Sequence, residues 1–221
     1  MIPYIDMHTH HFSNRNDVIS IRSIDVNEYL QNPELINQSF SIGLHPWYLT
    51  NENVANNLSI LETLIDQENL LAIGECGLDK MIDVDYAFQK EVFKKHIQLS
   101  EKYSKPIIIH QVKSHDELLK IKREMNPTQP WIFHGTRLKW SIANELLNAG
   151  MYLSFGQHLL KKEEHLVDTF LQTPNDKIFL ESDNSDMAID HIFAAAADIK
   201  SLSVEELKLI VYQNYKTVFK K

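Results

Sequence analysis

Short, continuously apolar runs recur along the chain and alternate with longer amphipathic stretches. The runs are Ile2–Asp6, Val18–Ile24, Ser39–Gly43, Leu70–Gly74, Pro106–Ile109, Trp131–Phe133, Met151–Phe155 and Lys177–Leu180. Most are too short and too uniformly apolar for surface helices, and they read as strands buried on both faces of a parallel sheet. Helical spacing is clearest over Asp83–Tyr103, where Phe88, Val92, Leu99 and Tyr103 form the expected core stripe. Weaker helical patterns cover Glu52–Gln67, Ser114–Glu124, Trp140–Asn148, Lys161–Leu171 and Val204–Phe219. Alternation of this kind builds right-handed βαβ units. Eight strand candidates in one chain predict an α/β fold, a single compact (β/α)8 TIM-like barrel over 1–221. Only about ten residues separate His8 from Val18, so the helix after the first strand is expected to be missing or vestigial. No repeat, low-complexity tract or Pro/Gly/Ser-rich linker marks a boundary.

Composition narrows the function. The chain has 221 residues, 43% hydrophobic and 24% charged, enough for a substantial core. Its formal net charge of −8 argues against a broad basic nucleic-acid-binding surface, since phosphate contacts need Lys and Arg in number. A nucleic-acid substrate held mainly by metal ions stays compatible with that charge. The opening MIPYIDMHTH lacks the basic and apolar regions of a secretory signal, and no apolar run approaches the roughly 20 residues of a membrane span. With one cysteine, Cys76, no internal disulfide can form. The expectation is a cytoplasmic protein that does not enter a membrane. Nothing in the sequence speaks to oligomeric state.

The chemistry lies where polar residues interrupt the apolar pattern. Asp6, His8 and His10 alternate with Met7 and Thr9 at the end of the first run, so all three face one way. Two imidazoles so placed can chelate one metal, with Asp6 supporting them from behind. Alone, such a pair is weak. But Gly74-Glu75, Ile109-His110, Phe133-His134 and Glu181-Ser182-Asp183 put a His or carboxylate at the end of four further runs. The C-terminal mouths of barrel strands are where such enzymes build active sites. Imidazole plus carboxylate suits Zn²⁺, Mn²⁺, Fe²⁺ or Ni²⁺ better than Ca²⁺, and Mg²⁺ sites overlap in ligand type. His96, His165 and His191 fall inside helical stretches and read as ordinary core or surface residues; His11, His115 and His158 lack a motif position. Cys76 reads as a small buried residue, with no activating His or helix N-terminus identifiable beside it.

Taken in order, Asp6-x-His8-x-His10, Gly43-Leu44-His45-Pro46, Gly74-Glu75-Cys76-Gly77-Leu78-Asp79, Ile107–His110, His134 and Ser182-Asp183 resemble the TatD-related deoxyribonuclease family of metal-dependent hydrolases. The resemblance spans nearly the whole chain. It implies a distorted (β/α)8 barrel and two divalent metal ions. His8, His10 and Asp183 would hold one ion and His110 and His134 the other, with Glu75 bridging. Asp183 and Glu75 would be the catalytic residues, Asp183 also as general base toward the attacking water. Asp6, His45 and Asp79 take supporting or substrate-rim places, and Arg137 is the first choice for a phosphate clamp because of its bidentate geometry.

The implied activity is phosphodiester or phosphoester hydrolysis, on DNA ends or nucleotides. Departures from the family pattern fall in the substrate-facing loops: Asp79-Lys80-Met81-Ile82, His110-Gln111-Val112-Lys113, His134-Gly135-Thr136-Arg137 and Asp183-Asn184-Ser185-Asp186, which runs quickly into helix. Two alternatives therefore stand beside it. One is a hydrolase of the same fold acting on carboxylic esters, lactones or amides; the other is a catalytically silent barrel that binds metal or a partner.

Overall fold

A computed structural model describes residues 2–219. Eight strands alternate with helices: β1 (Tyr4–Thr9), β2 (Val18–Asp25), β3 (Phe40–Gly43), β4 (Leu70–Asp79), β5 (Ile107–Val112), β6 (Trp131–Phe133), β7 (Tyr152–Phe155) and β8 (Ile178–Leu180). The helices are α1 (Val26–Gln31), α2 (Val54–Leu64), α3 (Tyr86–Tyr103), α4 (His115–Met125), α5 (Trp140–Asn148), α6 (Glu164–Gln172), α7 (Ile189–Lys200) and α8 (Val204–Phe219). The strands follow one another in sheet order from β1 to β8, and the pairs β1/β2, β3/β4, β4/β5 and β7/β8 are parallel. The fold class is the TIM-like (β/α)8 barrel. No helix lies between Thr9 and Val18, as the short spacing predicts. Among the described residues no helix is long and apolar enough to cross a membrane.

Two compact units make up the chain: residues up to Arg22 together with those from Phe133 onward, and Ser23–Ile132. In the first, β1 pairs with β2 in the register Tyr4↔Val18, Ile5↔Ile19 and Asp6↔Ser20. Ile5, Met7, Phe155, Phe170, Phe179 and Phe193 are fully buried there. The Phe155 and Phe170 rings meet edge to face with centroids 4.9 Å apart, the arrangement that the ring quadrupoles favour.

The second unit departs from the sequence pattern in two instructive ways. Strand β4 does not end at Gly74 but continues to Asp79 with all ten residues buried. Its outer half pairs Cys76↔Ile109, Gly77↔His110 and Leu78↔Gln111 after a register shift. Likewise β5 continues through His110 to Val112. Glu75 and His110, which mark the ends of these two apolar runs, are thus still inside strands, whose outer halves pair with each other. Glycine permits this closeness: a Cβ at Gly77 (φ +150°) would collide with the His110 carbonyl oxygen, and one at Gly43 would lie 2.6 Å from the Glu75 carbonyl oxygen.

The second departure is the core face of α3. Asp85 starts the helix, its Oδ1 accepting from Phe88 N–H at 2.7 Å, so the first turn begins later than Asp83. The buried stripe is Gln89, Val92, Phe93, His96, Ile97 and Ser100; it shares Val92 with the expected line, while Phe88, Leu99 and Tyr103 are only half-buried. Gln89 and His96 tolerate burial because each is fully engaged. Gln89 Oε1 accepts from Asp79 N–H (2.8 Å) and its Nε2 donates to the Asp79 and Val84 carbonyls (3.0 and 2.9 Å). His96 Nε2 accepts from Leu44 N–H at 3.0 Å, and its Nδ1 lies 2.9 Å from the Val92 carbonyl. An accepting Nε2 leaves the proton on Nδ1, so the ring is neutral and works as a structural bridge.

Burial lowers the pKa of His96 from 6.5 to about 4. The unfolded chain therefore takes up this proton at a higher pH than the folded one, and protons favour unfolding between those values. Stability is expected to fall as pH drops from about 6.5 through about 4, with His96 contributing about 3 kcal/mol over the whole window. Urea denaturation of wild type and H96Q at pH 7 and pH 4 checks this: the variant starts less stable but loses less on acidification.

Candidate metal centre

In the first unit, β1 delivers His8 and, just past its end, His10. Two backbone hydrogen bonds fasten the segment after β8 against them: Asp183 N–H donates to the His8 carbonyl (2.9 Å) and His10 N–H to the Asp183 carbonyl (3.1 Å). Asp183 adopts a left-handed φ of +53°, an uncommon conformation that Asp tolerates better than bulky residues. Its Oδ1 comes within 3.7 Å of His8 Nε2 and 3.6 Å of His10 Nε2. The His134 ring, which follows β6, stacks on the His8 ring at 4.2 Å. One ligand atom from each of His8, His134 and Asp183 lies within 4.8 Å of the others.

Behind these residues sit two buried carboxylates. Asp6, 6% exposed, receives Ser182 N–H at Oδ1 (2.8 Å) and Ser182 O–H at Oδ2 (2.6 Å). Burial pushes its pKa up to about 6 against the pull of those two hydrogen bonds. Asp6 thus anchors Ser182, the residue next to Asp183. The other carboxylate, Glu181, has no exposed surface. Its Oε1 accepts from Gly135 N–H at 2.6 Å and lies 3.6 Å from His134 Nδ1, so it orients the His134 ring. The sequence held one signal for Glu181, a charged residue directly after an apolar strand.

Arg137 is exposed and lies near His158. Burial first, then the charges of Arg137 and Lys161, lower the pKa of that imidazole.

The second unit centres on Glu75. Its Oε1 lies 2.8 Å from His110 Nδ1 and 3.2 Å from His45 Nε2, and the two rings are 4.4 Å apart. One ligand atom from each of the three lies within 4.8 Å of the others. Asp79 faces the remaining nitrogen of His110, Oδ2 to Nε2 at 3.3 Å, the partner that a metal-binding imidazole needs to fix its tautomer. Burial alone would raise the Asp79 pKa; hydrogen bonds from Trp47, Met81 and His110 outweigh it and hold the carboxyl below its ordinary range.

His45 takes part more closely than a rim residue would. Its backbone N–H donates to Asp25 Oδ2 at 2.9 Å, and its Nδ1 accepts from Trp47 N–H at 3.2 Å. With Nδ1 accepting, Nε2 carries the proton and can donate to Glu75, so His45 is built to orient Glu75. Trp47 and Asp25 were not visible as site residues in the sequence; their neighbours Asp79 and His45 were. Cys76 is fully buried and burial raises its thiol pKa well above normal, consistent with an inert core residue.

Imidazole and carboxylate donors, convergent and backed by buried carboxylates, fit a divalent transition metal or Mg²⁺. Comparison with known proteins agrees. Residues 5–220 match the family model described as TatD related DNase. The uncharacterized metal-dependent hydrolase YcfH of Escherichia coli (strain K12) is 29% identical over 199 residues, covering 83% of this chain and 74% of that protein. The uncharacterized metal-dependent hydrolase YabD of Bacillus subtilis (strain 168) is 28% identical over 196 residues, covering 81% and 76%. Among solved structures, the TatD homolog YJJV from Escherichia coli K12 superposes with a TM-score of 0.82 at 19% identity over 100% of both chains. A TatD family hydrolase from Entamoeba histolytica gives 0.77 at 17% identity over 98% of both.

Replacing Asp6 with Ala should leave the Ser182 N–H without its acceptor in a buried site and the Ser182 O–H with only Thr9 Oγ1. A loss of about 2–4 kcal/mol in unfolding free energy is expected, measurable by chemical denaturation at pH 7.5, where the wild-type carboxylate is ionised.

Proposed function

The chain belongs to the TatD-related DNase family, and on that premise we propose that this metal-dependent hydrolase cleaves phosphoester bonds, with DNA ends or nucleotides as its substrates. The observation that carries the reading is the convergence of His and carboxylate side chains from several strand ends into compact donor groups. A net charge of −8 fits a protein that meets phosphate through bound cations rather than through a basic surface.

We assign two ions to the protein, drawn from Zn, Mn, Mg, Fe or Ni. His8, His10 and Asp183 would hold one, His110 and His134 the other, with Glu75 shared. This division follows the family resemblance. The reading treats 1–221 as one functional domain. When bound, the cations would lower the pKa of the attacking water toward neutrality and offset charge developing on the phosphoryl oxygens. Asp183, its side chain 43% exposed, would accept a proton from that water, while Asp6 and Ser182 hold its segment in position. Glu181 and Asp79 would fix the orientation of His134 and His110, and Glu75 would be kept in place by His45. Arg137 is assigned to the departing or bound phosphate.

Metal analysis of the purified protein, joined to chelator-sensitive cleavage of bis(p-nitrophenyl) phosphate, tests this directly. About two ions per chain and metal-dependent turnover are expected. Bound metal with cleavage only of a carboxylic ester, lactone or amide would keep the hydrolase and reject the phosphoester; metal without any turnover would indicate a silent barrel.

Two substitutions sharpen the residue roles. H134A should lower the metal stoichiometry by about one ion, read by elemental analysis, because one ion loses one of its few protein ligands. D183N should reduce kcat at least 100-fold, the usual scale for losing a general base, while its denaturation midpoint stays near wild type. Near-normal kcat in D183N would put the base elsewhere.

A further inference from the structure

Trp47 is the least expected residue around Glu75. It lies on a single 3-10 turn, Pro46–Tyr48, directly after His45, and is 54% exposed, as Tyr48 is at 53%. An exposed tryptophan normally samples several orientations. Here the indole Nε1–H donates to Asp79 Oδ2 at 2.8 Å. That carboxyl also accepts from Met81 N–H at 2.8 Å, and Gln89 fixes the Asp79 backbone, accepting from its N–H and donating to its carbonyl. The ring meets His45 and His110 edge-on, with centroids 5.1 and 6.0 Å away. A wide apolar face is therefore kept in water in one orientation, beside the Glu75 donor group.

Trp47 also forms a wall of a groove of about 880 Å³ whose other apolar lining comes from Leu49, Ile82, Val84, Ala87 and Phe88. The charged residues of that lining are Glu52, Asp83, Asp85 and Glu91, with no Lys, Arg or His among them. Four carboxylates repel a phosphate, so the groove does not serve the anionic part of a substrate. They are compatible with a neutral aromatic heterocycle, whose ring N–H and amino groups they can accept from. A rigid exposed aromatic loses little conformational freedom on binding and stacks on any base through its π-face.

We propose that Trp47 is a specificity-determining residue: its exposed face stacks the nucleobase adjoining the scissile phosphoester, with the base lodged in the acidic groove and the phosphate turned away from it. The inference rests on the phosphoester reading above and names its substrate class as base-bearing phosphoesters at a strand end or as free nucleotides.

Deoxyadenosine, which has a base but no phosphoester, is the probe. Titrated into the purified protein, it should quench tryptophan emission saturably, and the quenching should be lost in W47L, where Trp131 and Trp140 remain as background. With 2-deoxyribose no quenching is expected. On a dinucleotide substrate, W47L should raise KM about tenfold, the scale of one base–aromatic stack, with kcat changing less than threefold; W47F should recover most of the loss. Equal quenching in wild type and W47L, equal quenching by the sugar, or a W47L defect confined to kcat and metal content would overturn the platform and leave Trp47 as a prop for Asp79. Trp47-dependent quenching in a protein that hydrolyses no phosphoester would defeat the hydrolytic reading alone. Phosphoester turnover without such quenching would defeat the platform alone.

Discussion

A carboxylate removed from water must meet donors or cations, and in this protein that requirement organises everything around the strand ends. Asp6, Glu75, Asp79 and Glu181 are all nearly or fully buried. An isolated buried carboxylate would cost many kcal/mol and would take up a proton instead. Asp6 illustrates the tension: two donors from Ser182 are insufficient to keep its pKa in the ordinary range, and it sits at about 6. Asp79, with Trp47, Met81 and His110 around it, goes the other way. The difference lies in how many donors each one has and how much water remains.

The two compact units solve the problem in the same style. In each, an apolar strand core carries a polar terminus, a carboxylate lies behind or beside an imidazole, and backbone N–H groups complete the set. Gly135 N–H serves Glu181, Ser182 N–H serves Asp6, Met81 N–H serves Asp79 and His45 N–H serves Asp25. Such backing turns mobile side chains into oriented donors, which is what metal ligation and proton transfer both demand. The hydrolytic reading follows from that preparation rather than from the presence of histidines as such. His96 makes the contrast plain: it is as buried as any of them, yet both its nitrogens are occupied by backbone groups and it holds α3 to the segment after β3.

Substrate handling is governed by a different balance. The donor groups would meet a phosphate only through cations, while the groove beside Trp47 is lined by carboxylates and apolar side chains. On the proposed function, a nucleotide's phosphate would be drawn to the first and repelled by the second. Trp47, just after β3, and Met81, just after β4, meet at Asp79, which ties the groove wall to the Glu75 donor group.

How much of this could be read from the chain alone depended on whether the signal was local. Alternation of apolar runs with amphipathic stretches determined the fold class, because burial of strands and helices imposes distinct periods on the sequence. The order and spacing of His8, His10, Glu75, His110, His134 and Asp183 likewise determined the family and its metal dependence. Strand ends are harder to read: β4 and β5 run past their apolar limits because Cys76–Asp79 pair with Ile109–Val112. The core face of α3 was misjudged for the same reason, since Gln89 and His96 look like surface residues until their partners come within hydrogen-bond reach. Glu181, Asp25 and Trp47 acquire roles only through residues distant in sequence. Hydrophobic periodicity is written into consecutive residues, whereas the satisfaction of a buried polar group is a property of whatever the fold brings within about 3 Å of it.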